Sequence, residues 1–254
     1  MEERERARNK LHQHTNAVIT AMTGKYSCNG THEWRRVAFI NMTDTSYNCP
    51  TGLNLTSYSK RTCGRSHPSF GCSSTTFSVG GLPYSSVCGR IRGYQFGATG
   101  AFWGYHNSHG QGIDGYYVGG VSLTHGAAGR RQHIWTFAAG ITEVNNNPDL
   151  FIHQCPCDAL HYDDDVPAFV GNDYFCESGL HFHYHANFVF YPDDVLWDGG
   201  NCTSSSTCCQ FNNPPWFTKS LPNATTDDIE LRICTVSTPP FEDVPIELIE
   251  LYVQ

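Results

Sequence analysis

The chain is poor in charge and lopsided in the charge it has. Only 16% of its 254 residues are Asp, Glu, Lys or Arg, and 24 acidic against 16 basic residues leave a net charge of −8. Phosphate binding needs clustered Lys and Arg, so nucleic acid is excluded as an expected partner. No apolar run approaches the roughly 20 residues that a membrane-spanning helix requires, so no membrane span is expected. Gly-x-Ser-x-Gly is absent, as is His-Glu-x-x-His, and with them go the commonest signatures of a serine hydrolase and a zinc protease. The opening Met1-Glu-Glu-Arg-Glu-Arg-Ala-Arg-Asn-Lys10 lacks the apolar centre of a signal peptide. That start is expected to belong to a truncated secretory protein or to a domain cut from a longer chain.

Cysteine and glycosylation signals are plentiful. The twelve cysteines are Cys28, Cys49, Cys63, Cys72, Cys88, Cys155, Cys157, Cys176, Cys202, Cys208, Cys209 and Cys234. Spread this widely they suit disulfide staples better than a zinc knuckle. Cys155-Pro-Cys157 and Cys208-Cys209 are too close to bridge internally with ease, so each cysteine is expected to reach a distant partner, in a connectivity that spacing leaves open. Five N-glycosylation sequons begin at Asn29, Asn41, Asn54, Asn201 and Asn223. An oxidising compartment accounts for both features together, so a secreted, extracellular glycoprotein is expected.

The fold class expected is mainly β, with α+β as the alternative: antiparallel sheets stapled by disulfides. Residues 1–27 are assigned to a charged linker or short helix, on Leu11, Val18 and Met22 at helical spacing, and residues 28–254 to one cysteine-rich domain. Strands are expected at Arg36–Asn41, Thr75–Val79, Tyr84–Phe96 (bent at Gly89 or Gly93), Tyr116–Thr124 and His133–Ala139. The last two face each other across a turn at Gly126–Arg131. Further strands follow at His181–Phe190 and at Ile229–Cys234, whose Ile229, Leu231 and Ile233 point inward. Ile246–Val253 closes the fold as a strand and loses step at Leu248-Ile249, which predicts a bulge, with a helical turn as the alternative.

Several runs form a set: Val87-Cys-Gly-Arg90, Gly120-Val-Ser-Leu-Thr-His-Gly126, His133-Ile-Trp-Thr-Phe-Ala-Ala-Gly140, Phe175-Cys-Glu-Ser-Gly179, Leu196-Trp-Asp-Gly199 and Thr226-Asp-Asp-Ile-Glu230. Together they resemble a group of uncharacterised secreted cysteine-rich proteins of sponges and cnidarians, in places similar to a divergent fibrinogen C-terminal-like domain. The resemblance implies matrix, adhesive or lectin-like roles.

The remaining candidates for chemistry each have a plainer structural reading. In His181-Phe-His-Tyr-His185 alternate residues share a strand face, so neighbouring histidines lie about 6–7 Å apart and a pair of them could converge on zinc. His181 and His185, about 13 Å apart, could not share one ion without help, and Asp173, Glu177 and Asp193 are the sequence neighbours that could supply it. A solvated strand face is the plainer account. Asp158, Asp163 and Asp165 offer hard oxygens for calcium, against a plain acidic loop. Calcium and zinc are therefore the candidate ions, with N-linked glycans as the covalent additions. Gly110-Gln-Gly-Ile-Asp-Gly115 has dinucleotide-binding spacing without the flanking strand and helix, so a surface loop is expected. His106, His109, His125 and His133 could form a catalytic centre only if the fold gathered them. Trp103, Tyr105, Tyr116, Tyr117 and Trp135 suit either sugar stacking or local core packing.

The function expected is a non-enzymatic module for extracellular matrix, adhesion, or carbohydrate or partner binding. Its partners would be extracellular proteins or glycans, with self-assembly through sheet edges also open. The alternative is a secreted metal-dependent hydrolase or toxin using His181 and His183.

Overall fold

A computed structural model of the chain describes residues 25–57, 59–66, 71–96, 112–115, 118–141, 166–179, 190–198, 215–235 and 244–254. These are thirteen strands: β1 (Lys25–Cys28), β2 (Thr31–Asn41), β3 (Leu53–Ser57), β4 (Arg61–Arg65), β5 (Gly71–Phe77), β6 (Tyr84–Phe96), β7 (Gly120–His125), β8 (Gln132–Ile141), β9 (Tyr174–Gly179), β10 (Phe190–Leu196), β11 (Phe217–Thr225), β12 (Ile229–Thr235) and β13 (Ile246–Val253). No helix long and apolar enough to cross a membrane occurs among the described residues. The expected N-terminal helix and most of the His181–Phe190 strand lie outside them.

The strands form two sheets. In the eight-stranded sheet β13 lies between β2 and β6 and touches β4 at Ile246 and Cys63; β1 flanks β2, β3 flanks β4, and β10 and β11 share the far side of β6. The five-stranded sheet runs β5-β12-β7-β8-β9. Its pairs are antiparallel except β8 with β9, which run parallel. The sheets meet over one core. From the first come Val87, Ile91, Ile249, Leu251 and Phe217, and from the second Leu123, Phe137, Ile229, Leu231 and Ile233, all buried. Phe137 touches both Phe217 (5.7 Å between centroids) and Trp197 (5.4 Å) across the gap. Burying each such side chain contributes about 1.5–3 kcal/mol.

The inward positions expected for β12 are observed, since Ile229, Leu231 and Ile233 are fully buried. β13 is irregular at two places, between Ile246 and Leu248 against β6, just before the step at Leu248-Ile249, and between Leu251 and Tyr252 against β2. Gly89 and Gly93 serve close approach: a Cβ on Gly89 would sit 2.5 Å from the Glu250 carbonyl oxygen, and one on Gly93 2.9 Å from the Trp197 ring. The β1–β2 connection is a two-residue turn with Asn29 left-handed (φ 50°), followed by a bulge where Glu33 is also left-handed (φ 88°).

Three disulfides lock this arrangement, Cys28–Cys88, Cys49–Cys63 and Cys72–Cys234. Cys72 and Cys234 are direct cross-strand neighbours on β5 and β12. Cys176 is also disulfide-bonded. Cys155, Cys157, Cys202, Cys208 and Cys209 lie outside the described residues.

Candidate binding cleft

Residues directly opposite one another in an antiparallel pair share a face. On the side of the five-stranded sheet away from the core, Glu230 therefore stands with Thr76 and Thr124, and Arg232 with Ser74 and Ser122. A solvent-facing polar row is normal in such a sheet. Here Ser122, Thr124, Thr136, Glu230 and Arg232 are all buried. The cover comes partly from residues 112–115: Ile113, itself buried, accepts a hydrogen bond from Arg232 Nη1 at 2.8 Å. A small apolar cluster of Val118, Ala138, Val170 and Cys176 seals the other end. Residues 112–115, the described part of the Gly110–Gly115 stretch, form a turn that covers this part of the sheet.

Where this cover ends, a cleft of about 320 Å³ opens, lined by Thr76, Gly126, Ala127, Ala128, Arg131, Asp227, Asp228 and Glu230. Four segments build it: the β7–β8 turn, the β11–β12 link and the outer faces of β12 and β5. Arg131 is its centre. Its guanidinium donates to Glu230 through Nε (2.5 Å) and Nη2 (3.2 Å), and to Asp114 through Nη1 (2.5 Å). Thr124 Oγ1 donates to the same Glu230 carboxylate at 3.2 Å. Burial alone would raise the Glu230 carboxyl, yet hydrogen bonds from Arg131 and Ser74 and the nearby positive charge hold it below its ordinary value. Asp114 behaves likewise, and hydrogen bonding to Glu230 first, then to Asp114, raises Arg131 against the opposing effect of burial.

The opposite wall is fixed by Asp227 and Asp228. Asp227 Oδ2 lies 2.9 Å from His125 Nδ1, and its main-chain oxygen accepts from Tyr84 Oη at 2.9 Å. The hydrogen bond with His125, then that from Thr225, lowers the Asp227 carboxyl. Asp228 Oδ1 accepts from the Val79 amide at 2.9 Å and from Ser78 Oγ at 3.1 Å. The His125 side chain, only 6% exposed, ties β7 to this link from beneath. The lining holds three carboxylates and one guanidinium. Such a surface suits a neutral ligand with many hydroxyls, which can donate to carboxylates and accept from Arg131.

Of the four histidines weighed for catalysis, His125 and His133 are described, and their register puts them on opposite faces of the five-stranded sheet. His133 sits on β8, with Nε2 2.7 Å from Thr136 Oγ1, which lies 3.1 Å from Ser122 Oγ. His133 Nδ1 is buried without a partner among the described residues. Desolvation lowers this imidazole to about 4, Asp173 opposing it and Lys219 adding to it. Asp173, one of the residues suggested to complete a zinc site, is ion-paired with Lys219. Glu177 is buried and Asp193 exposed. Among the described residues no group of three or more His, Cys, Asp or Glu is placed to hold a metal. His181, His183, His185, Asp158, Asp163, Asp165, His106 and His109 lie outside the described residues. Trp135 is a core plug, stacked on Phe217 at 5.3 Å; Trp103, Tyr105, Tyr116 and Tyr117 lie outside.

Of the sequon asparagines, Asn29, Asn54 and Asn223 are exposed and Asn41 is half-buried, its Oδ1 accepting from Thr43 Oγ1 at 2.8 Å; Asn201 lies outside the described residues. Sequence reasoning did not single out Arg131, Asp114, Asp227, Asp228 or Glu230 as a site. The available signal was Glu230 and Arg232 alternating with three core residues on one strand. No family model, curated protein or solved structure matches the chain.

Proposed function

We propose that this chain is a secreted, N-glycosylated, non-enzymatic binding module of the extracellular space, and that the Arg131 cleft takes a neutral, hydroxyl-rich ligand, a saccharide borne by a matrix or cell-surface partner. The disulfides and sequons support the compartment. One observation carries the binding site: donors and acceptors from four chain segments converge on one cleft, which Gly126, Ala127 and Ala128 also line. Its volume lies at the low end of the roughly 300–1,000 Å³ of ligand pockets, the size for one or two sugar units rather than a long peptide. The acidic excess disfavours sulfated or sialylated sugars, because like charges brought together in a partly desolvated cleft repel.

The test is a glycan array probed with protein made in a eukaryotic secretory system, beside the Ala128→Trp variant. Ala128 is exposed in a turn, so the indole fills the cleft without entering the core. Binding to neutral glycans, lost in the variant at unchanged melting temperature, is expected. A blank array, or binding that survives Ala128→Trp, refutes the assignment.

A further inference from the structure

Among the described residues, each of the three exposed sequons stands at an outer margin of the eight-stranded sheet. Asn29 is in the turn that joins the outermost strand β1 to β2; Asn54 is on β3, which among the described strands pairs only with β4; Asn223 is on β11, which among them pairs only with β6. No sequon falls on a strand of the five-stranded sheet. The outer strand β5 of that sheet is covered by protein. Gly52 lies so close that a Cβ there would be 2.0 Å from the Ser74 carbonyl oxygen, Arg65 Nη1 donates to the Gly71 oxygen at 2.9 Å, and Ser66 N donates to Ser73 Oγ at 3.0 Å.

Unpaired strand edges are templates for another chain, and proteins blunt them with bulges, prolines, charges or covers. β11 carries Pro222 beside Asn223, and its pairing is broken between Ser220 and Thr225. β3 has no proline or charge. It carries Leu55, half exposed at 50% and one of two large exposed hydrophobic side chains among the described residues, directly after Asn54. Pairing requires a second backbone within about 4.8 Å of the edge. A branched, hydrated glycan rooted there denies that approach.

We infer that the N-glycans at Asn29, Asn54 and Asn223 are edge caps, which keep the eight-stranded sheet from pairing with a second copy of this chain, and that the Asn54 glycan matters most because β3 has no other guard along its edge and exposes Leu55 beside it. This rests on the secreted-glycoprotein reading above.

Glycopeptide mapping of the secreted full chain comes first, followed by sedimentation velocity over a wide concentration range. Asn54→Gln, Asn223→Gln and Asn29→Gly remove the sequons, glycine suiting the left-handed turn at position 29. The wild type is expected to stay at monomer mass. The triple variant is expected to gain mass with concentration, Asn54→Gln alone to show most of that gain, and Leu55→Lys added to Asn54→Gln to abolish it. Should the triple variant fail to be secreted, trimming the folded wild type with an endoglycosidase that leaves one sugar per site is expected to produce the same association. Occupied sites with no association after removal or trimming overturn the edge-cap role and leave the glycoprotein reading intact. Secreted material without glycans overturns both.

Discussion

His133 gives the fold a stability that depends on pH well above the carboxylate range. In the unfolded chain its imidazole takes up a proton near 6.5, and in the folded protein only near 4, because desolvation resists the charge. Between those values the unfolded state binds the extra proton, so stability is complete above about 6.5 and drains away as pH falls toward 4. Two and a half pK units correspond to about 3 kcal/mol in all, of which about 2 is lost between about pH 7 and pH 5. Asp114, Asp227 and Glu230 are held below their ordinary values, so their contributions vanish only at lower pH. The perturbation is His133→Gln, whose amide can still bond Thr136 but does not titrate. Urea unfolding with disulfides intact, followed by tryptophan fluorescence at pH 7, 6 and 5, is expected to show a loss in the wild type about 2 kcal/mol greater than in the variant. Equal losses would mean that the ring is hydrated and ionises freely, and would refute the buried environment assigned to it.

Two further outcomes follow from the core and its staples. Trp197 is fully buried in a left-handed conformation (φ 59°) that bulky residues seldom adopt, and its Nε1 donates to the Ala138 oxygen at 3.0 Å. Trp197→Ala is expected to cost about 3–5 kcal/mol, while Trp197→Phe, which keeps most contacts and loses that bond, costs markedly less in the same urea titration. Cys72–Cys234 closes a chain separation of 162 residues and Cys49–Cys63 one of 14. Chain entropy gives about 5 and about 3 kcal/mol for loops of those lengths, so removing the first pair with serines is expected to lower the melting temperature more. A reversed order in calorimetry would show that residual structure in the unfolded chain, not loop closure, governs these staples.

What was legible in the sequence follows from what period-2 patterning encodes. Ile229, Leu231 and Ile233 announced a strand and its buried side, and Tyr84–Phe96 and Ile246–Val253 were readable from β-branched and aromatic content. Pairing order was not readable, because β13, last in the chain, inserts between β2 and β6, a contact that no local pattern marks. Disulfide partners were hidden for the same reason: Cys72 meets Cys234 only because β5 and β12 are neighbours. The cleft was the least legible part. Thr76, Arg131 and Glu230 lie in three separated runs, and each looks like ordinary strand or turn polarity until the register aligns them.

The cleft and the buried polar row have one origin. The outer face of the five-stranded sheet has the composition of a solvated surface, with Ser74, Ser122, Thr124, Thr136, Glu230 and Arg232, yet residues 112–115 and the Val118–Val170 cluster close over much of it. Polar groups covered in this way must find protein partners or cost the fold their desolvation, which is why Arg232 reaches the Ile113 carbonyl and Arg131 clamps both Glu230 and Asp114. Asp114 belongs to the cover and Glu230 to the sheet, so Arg131 stitches one to the other at the boundary where the cover stops. Beyond that boundary the same side chains, already oriented by their stitching bonds, face open space. A ligand that binds there meets donors and acceptors whose ordering the fold has already completed, and this preorganisation favours affinity from few contacts.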